Sequence, residues 1–182
     1  MEITTKQILK FLHVLAWIIF IGLCVQAGGI ICHAIISVAF NSESSTNIWQ
    51  QADLSALYTY DKGHFLVIAF YMSLVIILQA LMFYLIVKIM YNKKLSLAQP
   101  FNTEARRLVI LLSYLALLIG LFSSWGTKYS KWLSAKGITM PDSAALELDG
   151  ASVWLFMAVI LFVIAQIFKR GIEIQSEHEL TI

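Results

Sequence analysis

Four stretches of this chain contain no Asp, Glu, Lys or Arg, and each is long enough to cross a lipid bilayer. They run from Phe11 to Ser42 between Lys10 and Glu43, from His64 to Val87 before Lys88, from Leu108 to about Thr127, and from Ala151 to Phe168 before Lys169. A hydrocarbon core about 30 Å thick is spanned by roughly 20 helical residues rising about 1.5 Å each. Hydrocarbon offers no water to backbone groups, so apolar runs of this length form helices that satisfy their own hydrogen bonds, and they lack the alternation of barrel strands. Only 13% of the residues are charged and 59% are hydrophobic, whereas a water-facing domain carries about 25% charged residues. The expected fold is therefore all-α: a polytopic membrane protein in which a four-transmembrane-helix bundle makes a single domain over residues 1–182. Its spans fall at about 11–40, 64–87, 108–127 and 151–168.

Lys and Arg favour the cytoplasmic side of short loops, and here their distribution is lopsided. Lys6 and Lys10 precede the first span, Lys88, Lys93, Lys94, Arg106 and Arg107 lie in the connection 88–107, and Lys169 and Arg170 begin the tail 169–182. The loops 41–63 and 128–150 hold Lys62, Lys128, Lys131 and Lys136, offset by Asp53, Asp61, Asp142, Glu147 and Asp149. Both termini are thus expected in the cytoplasm, with the two loops outside. Val25-Gln26-Ala27 mimics a signal-peptidase site, but the apolar run continues from Gly28 to Phe40. An uncleaved first span is therefore expected.

The connections differ in character. Residues 41–62 mix polar residues with Trp49, Leu54, Leu57, Tyr58 and Tyr60, a pattern suited to a short helix at the lipid–water boundary. Gly137, Pro141 and Gly150 break the second outer loop, and Trp125, Tyr129 and Trp132 mark the exit of the third span. In the cytoplasmic connection, Pro100 favours an extended Gln99, and Asn102 or Thr103 is placed to cap the third helix. This basic segment serves either as a solvated loop that fixes orientation or as a docking site.

Pro100-Phe101 followed by Arg106-Arg107-Leu108 resembles a family of uncharacterised bacterial four-helix membrane proteins that includes the YoaS-like proteins of bacilli. The ending from Ile164 to Ile182 resembles it more closely: a helix finishing in Phe168, then Lys169-Arg170-Gly171, an acidic stretch, and Leu180-Thr181-Ile182. The resemblance implies the four-span layout, both termini inside, and a place in the inner membrane of a bacterial cell. It implies no catalytic residue. It further suggests a partner, because members are often encoded beside a small helix-turn-helix transcription regulator. Pro100, Phe101, Arg106, Arg107, Gly171, Glu173, Glu177 and Leu180 are the candidate partner-binding residues.

The tail read by itself allows several fates. Gly171 is expected to end the fourth helix in a left-handed cap, with Ile172, Ile174, Leu180 and Ile182 spaced among Glu173, Gln175, Glu177 and Glu179. Such a segment folds back on Lys93, Lys94, Arg106 and Arg107, docks on a basic protein, or frays.

No ionisable Asp, Glu, Lys or Arg lies within the spans, which argues against proton pumps, voltage sensors and ion-coupled transporters. Gln26, Gln79 and Gln166, with Ser37, Ser73, Ser113, Ser123 and Ser124, are able to hydrogen-bond between helices. His33 and His64 lie at matching depths near the outer side, beside Cys32 and Asp61, and imidazoles so placed could ligate a haem iron or a transition metal. The pair is equally read as two structural histidines, because no Cys-x-x-Cys-His or zinc-type spacing accompanies it, and no cofactor is predicted. Cys24 and Cys32 sit about 12 Å apart along one helix. They cannot bridge each other and read as buried small residues. Gly22, Gly28, Gly29 and Gly120 are candidates for close helix approach. The chain has neither a phosphate-cradling loop nor a nucleophile–base motif, so no enzyme is expected. Its net charge of +2 gives no basis for direct nucleic-acid binding.

Two functional readings follow. In the first, the bilayer-embedded chain is a regulatory or interaction protein whose cytoplasmic loop and tail engage a soluble partner. The alternative is a small-molecule, haem or metal binder or transporter with a cavity open to the outer side.

Overall fold

A computed structural model describes residues 5–40, 47–48, 52–91 and 102–179. It contains four long helices: α1 (Thr5–Phe40), α3 (Lys62–Tyr91), α4 (Thr103–Ala135) and α5 (Ala151–Glu179). A short helix α2 (Ser55–Tyr60) and a minimal antiparallel ribbon, β1 (Asn47–Ile48) with β2 (Ala52–Asp53), connect α1 to α3. Each long helix is long and apolar enough to cross a membrane, and the architecture is the all-α four-helix bundle read from the apolar runs. The helices hold 36, 30, 33 and 29 residues. They therefore reach beyond a hydrocarbon core that needs only roughly 20.

The long helices pack in chain order, α1 on α3, α3 on α4 and α4 on α5. Among the described residues, α1 shares an extended seam only with α3, and most of its apolar side chains face outward. Cys24 and Cys32 are consequently exposed rather than buried, because they lie off the one face of α1 that packs.

Small residues set the closeness of the α4–α5 seam. A Cβ placed on Gly120 would lie 2.7 Å from the Leu155 Cγ and 3.0 Å from the Leu155 backbone nitrogen. Two turns away on the same seam, the buried Ser113 hydroxyl donates to the Ala158 carbonyl at 2.8 Å, a bond between long helices. Ser37 and Ser73 donate instead to carbonyls one turn back, His33 and Phe70. Gly22 and Gly28 face open space, so they do not admit a neighbouring helix of this chain.

The ends of the helices follow local chemistry. Asn102 accepts from the Ala105 amide at 2.7 Å and caps α4, satisfying a donor that the first turn leaves free. Asp61 does the same for α3 through the His64 amide at 2.9 Å. α4 ends in a Schellman motif: the Ile138 amide returns to Leu133 O and the Gly137 amide to Ser134 O, with Gly137 at φ 87°. Buried Leu133 and Ile138 supply the hydrophobic contact that accompanies this geometry.

Two expectations change. The helix in the first connection exists, but its Leu54, Leu57 and Tyr58 side chains are buried in the protein core rather than free to face lipid, and the Tyr58 hydroxyl donates to Ser37 O of α1 at 2.8 Å. At its start, hydrogen bonds from the Ser55 hydroxyl and amide hold the Asp53 carboxyl below the usual carboxylate range. The second change concerns Gly171, which does not end α5. The helix continues to Glu179, with Glu173 placed 3.9 Å from Lys169 and 3.2 Å from Arg170 on the preceding turn. A helical glycine costs about 1 kcal/mol, and continued backbone bonding through good helix formers such as Glu173 and Gln175 outweighs it. Glu173 therefore pairs within its own helix, while Lys93 and Lys94, toward which the tail was expected to fold, lie outside the described residues.

Replacing Gly120 with Ala is expected to destabilise the bundle by about 1–3 kcal/mol, the usual cost of overpacking. Gly22→Ala, which meets nothing within 4 Å, should be tolerated. Thermal unfolding of both variants in one detergent checks the contrast.

Candidate functional site

The two ends of the bundle are built differently. At the end where α3 begins and α4 finishes, both connections fold over the helices and join the core. Leu146 and Leu148 in the α4–α5 loop are fully buried, as are Leu54 and Leu57 in the α1–α3 connection. Leu148 occupies the notch left by Gly126, where a Cβ would stand 2.8 Å from its Cδ1 and 3.3 Å from the Tyr71 Cβ. The Thr127 hydroxyl fixes the same residue by donating to Leu148 O at 2.8 Å.

Between these two leucines stands Glu147, with φ 54°, in the left-handed region that a residue with a Cβ rarely adopts. Its half-buried carboxylate accepts a hydrogen bond from the Gln26 side-chain amide at 3.0 Å. Packing of Leu146 and Leu148 on either side holds this backbone. Gln26, expected to bond between spans, thus reaches the loop, and in doing so ties α1 to the second half of the bundle.

An aromatic cluster surrounds His64. Its Nδ1 shares a hydrogen bond with the Tyr129 hydroxyl at 2.6 Å, and its ring lies parallel to Tyr60 and edge-on to Trp132. Tyr129 in turn stacks on Trp132 with centroids 5.6 Å apart, and the Lys136 ammonium sits 3.9 Å from the Trp132 ring centre, close enough for a cation–π attraction. This is how the aromatic residues at the exit of the third span are organised.

His33 is not drawn into this cluster. Its Nδ1 is buried without a hydrogen-bond partner among the described residues, and His64 is engaged by Tyr129. Among the described residues, no three of His, Cys, Asp and Glu gather as metal ligands would. The Asp61 carboxylate caps α3. Gln79 is half-buried on α3, while Gln166 is exposed on α5 and so does not lie between helices.

The opposite end carries the basic residues. Arg106 is half-buried with its Nε lacking a partner among the described residues, and Arg107 is exposed beside it. Gly171 and Glu173 are half-buried and Glu177 exposed along the extension of α5. Pro100, Phe101 and Leu180, together with Lys93 and Lys94, lie outside the described residues. Ile167, Arg170, Gly171, Ile174 and Gln175 follow one stripe of α5, where residues three and four apart align.

A family model described as a protein of unknown function (DUF2975) matches residues 49–182. The chain belongs to this family. No curated protein and no solved structure matches it. The DUF2975 match takes in α2 to α5, the His64 cluster and the loop bearing Glu147, and leaves α1 outside. Glu147 and Tyr129 had no motif to mark them. The available signal was weaker: an acidic residue between two leucines in a loop, and a tyrosine one helical turn after a tryptophan.

Tyr129→Phe removes the hydroxyl that His64 binds and should cost about 0.5–1.5 kcal/mol, the net value of one hydrogen bond. A double-mutant cycle with His64→Phe, read by thermal unfolding, should return most of that loss as coupling. Full additivity would mean that the two side chains do not act as a pair.

Proposed function

We propose that this DUF2975 protein is a membrane-embedded interaction protein whose cytoplasmic end holds a soluble protein partner. The observation that supports the reading is the extension of α5. The helix passes beyond the apolar run ending at Phe168 and exposes Ile174, 44% accessible, in line with Ile167 and Gly171. An exposed apolar stripe at spacings of three, four and seven residues is how helices dock into partner grooves.

The charge pattern defines what such a partner must tolerate. Lys169, Arg170 and Glu173 form exposed ion pairs within the helix, which contribute little to stability but give the stripe a mixed polar rim. The excess of Lys and Arg at this end favours its cytoplasmic placement. A small helix-turn-helix regulator, the neighbour suggested by the resemblance to YoaS-like proteins, meets these requirements. In that case the membrane protein would hold it away from DNA or release it.

The test is affinity purification of the full-length chain in mild detergent beside Ile174→Asp and a form lacking 172–182. A single soluble protein recovered in near-stoichiometric amount with the intact chain and lost from both variants is the expected result. Equal recovery from all three, or no protein from any, contradicts the reading. A stoichiometric small molecule or metal in place of a protein would favour a ligand-binding role.

A further inference from the structure

At the basic end, a groove of about 300 Å³ separates α3 from α4. Leu85, Leu108 and Leu111 give it apolar walls, and Lys88, Glu104 and Arg107 line its rim. Lys88 is the first charge after the apolar run of α3, and Arg107 the last before that of α4. The two cations on these antiparallel neighbours therefore mark one membrane boundary. Residues 85 and 88 on α3, and 104, 107, 108 and 111 on α4, recur at helical spacing, so each helix turns one face to the groove. The Lys88 ammonium lies 5.8 Å from the Tyr84 ring centre, drawn back toward the apolar side.

A groove that is apolar toward the hydrocarbon and cationic at its edge meets one abundant molecule of matching chemistry. We propose that it binds one phospholipid bearing a single net negative charge, of the phosphatidylglycerol class. Its phosphate sits between Lys88 and Arg107, and an acyl chain lies along Leu85 and Leu111. The Glu104 carboxylate lies one turn farther from the membrane than Arg107, on the headgroup side of the groove. The same carboxylate repels a headgroup with a second negative charge. The proposal concerns the α3–α4 face and does not depend on a protein partner at α5.

Native mass spectrometry of the full-length protein, delipidated and titrated with defined lipids, tests this. One phosphatidylglycerol per chain should be retained in preference to phosphatidylcholine. Replacing both cations, Lys88→Gln with Arg107→Gln, should weaken retention roughly 30-fold, on the usual contribution of a basic residue near an anionic lipid surface. Leu111→Trp keeps both charges and inserts normally, but fills the apolar wall, and it should lose the lipid as well. Lys128→Gln with Lys131→Gln at the other end should change nothing. Equal retention of the two lipids, full retention by Leu111→Trp, or preferential retention of phosphatidylethanolamine overturns the site.

Discussion

A bilayer cannot hydrogen-bond to a peptide group, and that single constraint fixes most of this molecule. It forces the four apolar runs into helices and forbids irregular backbone in contact with hydrocarbon. It also removes the usual driving force for helix association, because lipid is as apolar as leucine. Specific packing must then come from shape and from a few polar contacts. The α4–α5 seam answers with Gly120 against Leu155 and Ser113 bonded to Ala158 O. α1 has no comparable device on its outward face and remains largely open to lipid, joined to α3 along one side.

The loops repair what the helices leave loose. Leu148 in its Gly126 notch, the Thr127 bond to Leu148 O, and the Gln26–Glu147 bond anchor the α4–α5 connection to three long helices. With Leu54, Leu57 and Tyr58 from the other connection, they turn one end of the bundle into a closed, well-packed cap. Among the described residues, the other end shows helix extensions, exposed cations and a groove between α3 and α4.

The four spans were legible because apolarity over twenty residues is a local property, and the α4 cap was legible to within one residue, Asn102 or Thr103, because it depends on four consecutive residues. What depends on rotation about a helix axis was not. Gly22, Gly28 and Gly120 look alike as letters, yet only Gly120 meets a neighbour. Gly171 was equally ambiguous, since glycine both caps helices and survives within them when pairs such as Lys169–Glu173 bridge the turn. The burial of Leu146 and Leu148 and the strained Glu147 between them were invisible, because they follow from three helices meeting one loop. At the basic end, Arg106 and Arg107 could be placed at a membrane boundary, but the groove that Arg107 shares with Lys88 required the pairing of α3 with α4.

The claim most open to direct test is that the α4–α5 connection is a structural part of the closed end and not an ordinary surface loop. The Leu146 amide donates to Asp142 O at 3.1 Å and the Leu148 amide to Ser143 O at 3.0 Å, beneath fully buried side chains. Hydrogen exchange of the protein in nanodiscs, resolved to peptides covering 138–150, measures this. The account predicts that the amides of Leu146 and Leu148 exchange as slowly as those of the neighbouring helices, as buried bonded amides do. Exchange within seconds, at the rate of an unprotected loop, would contradict it.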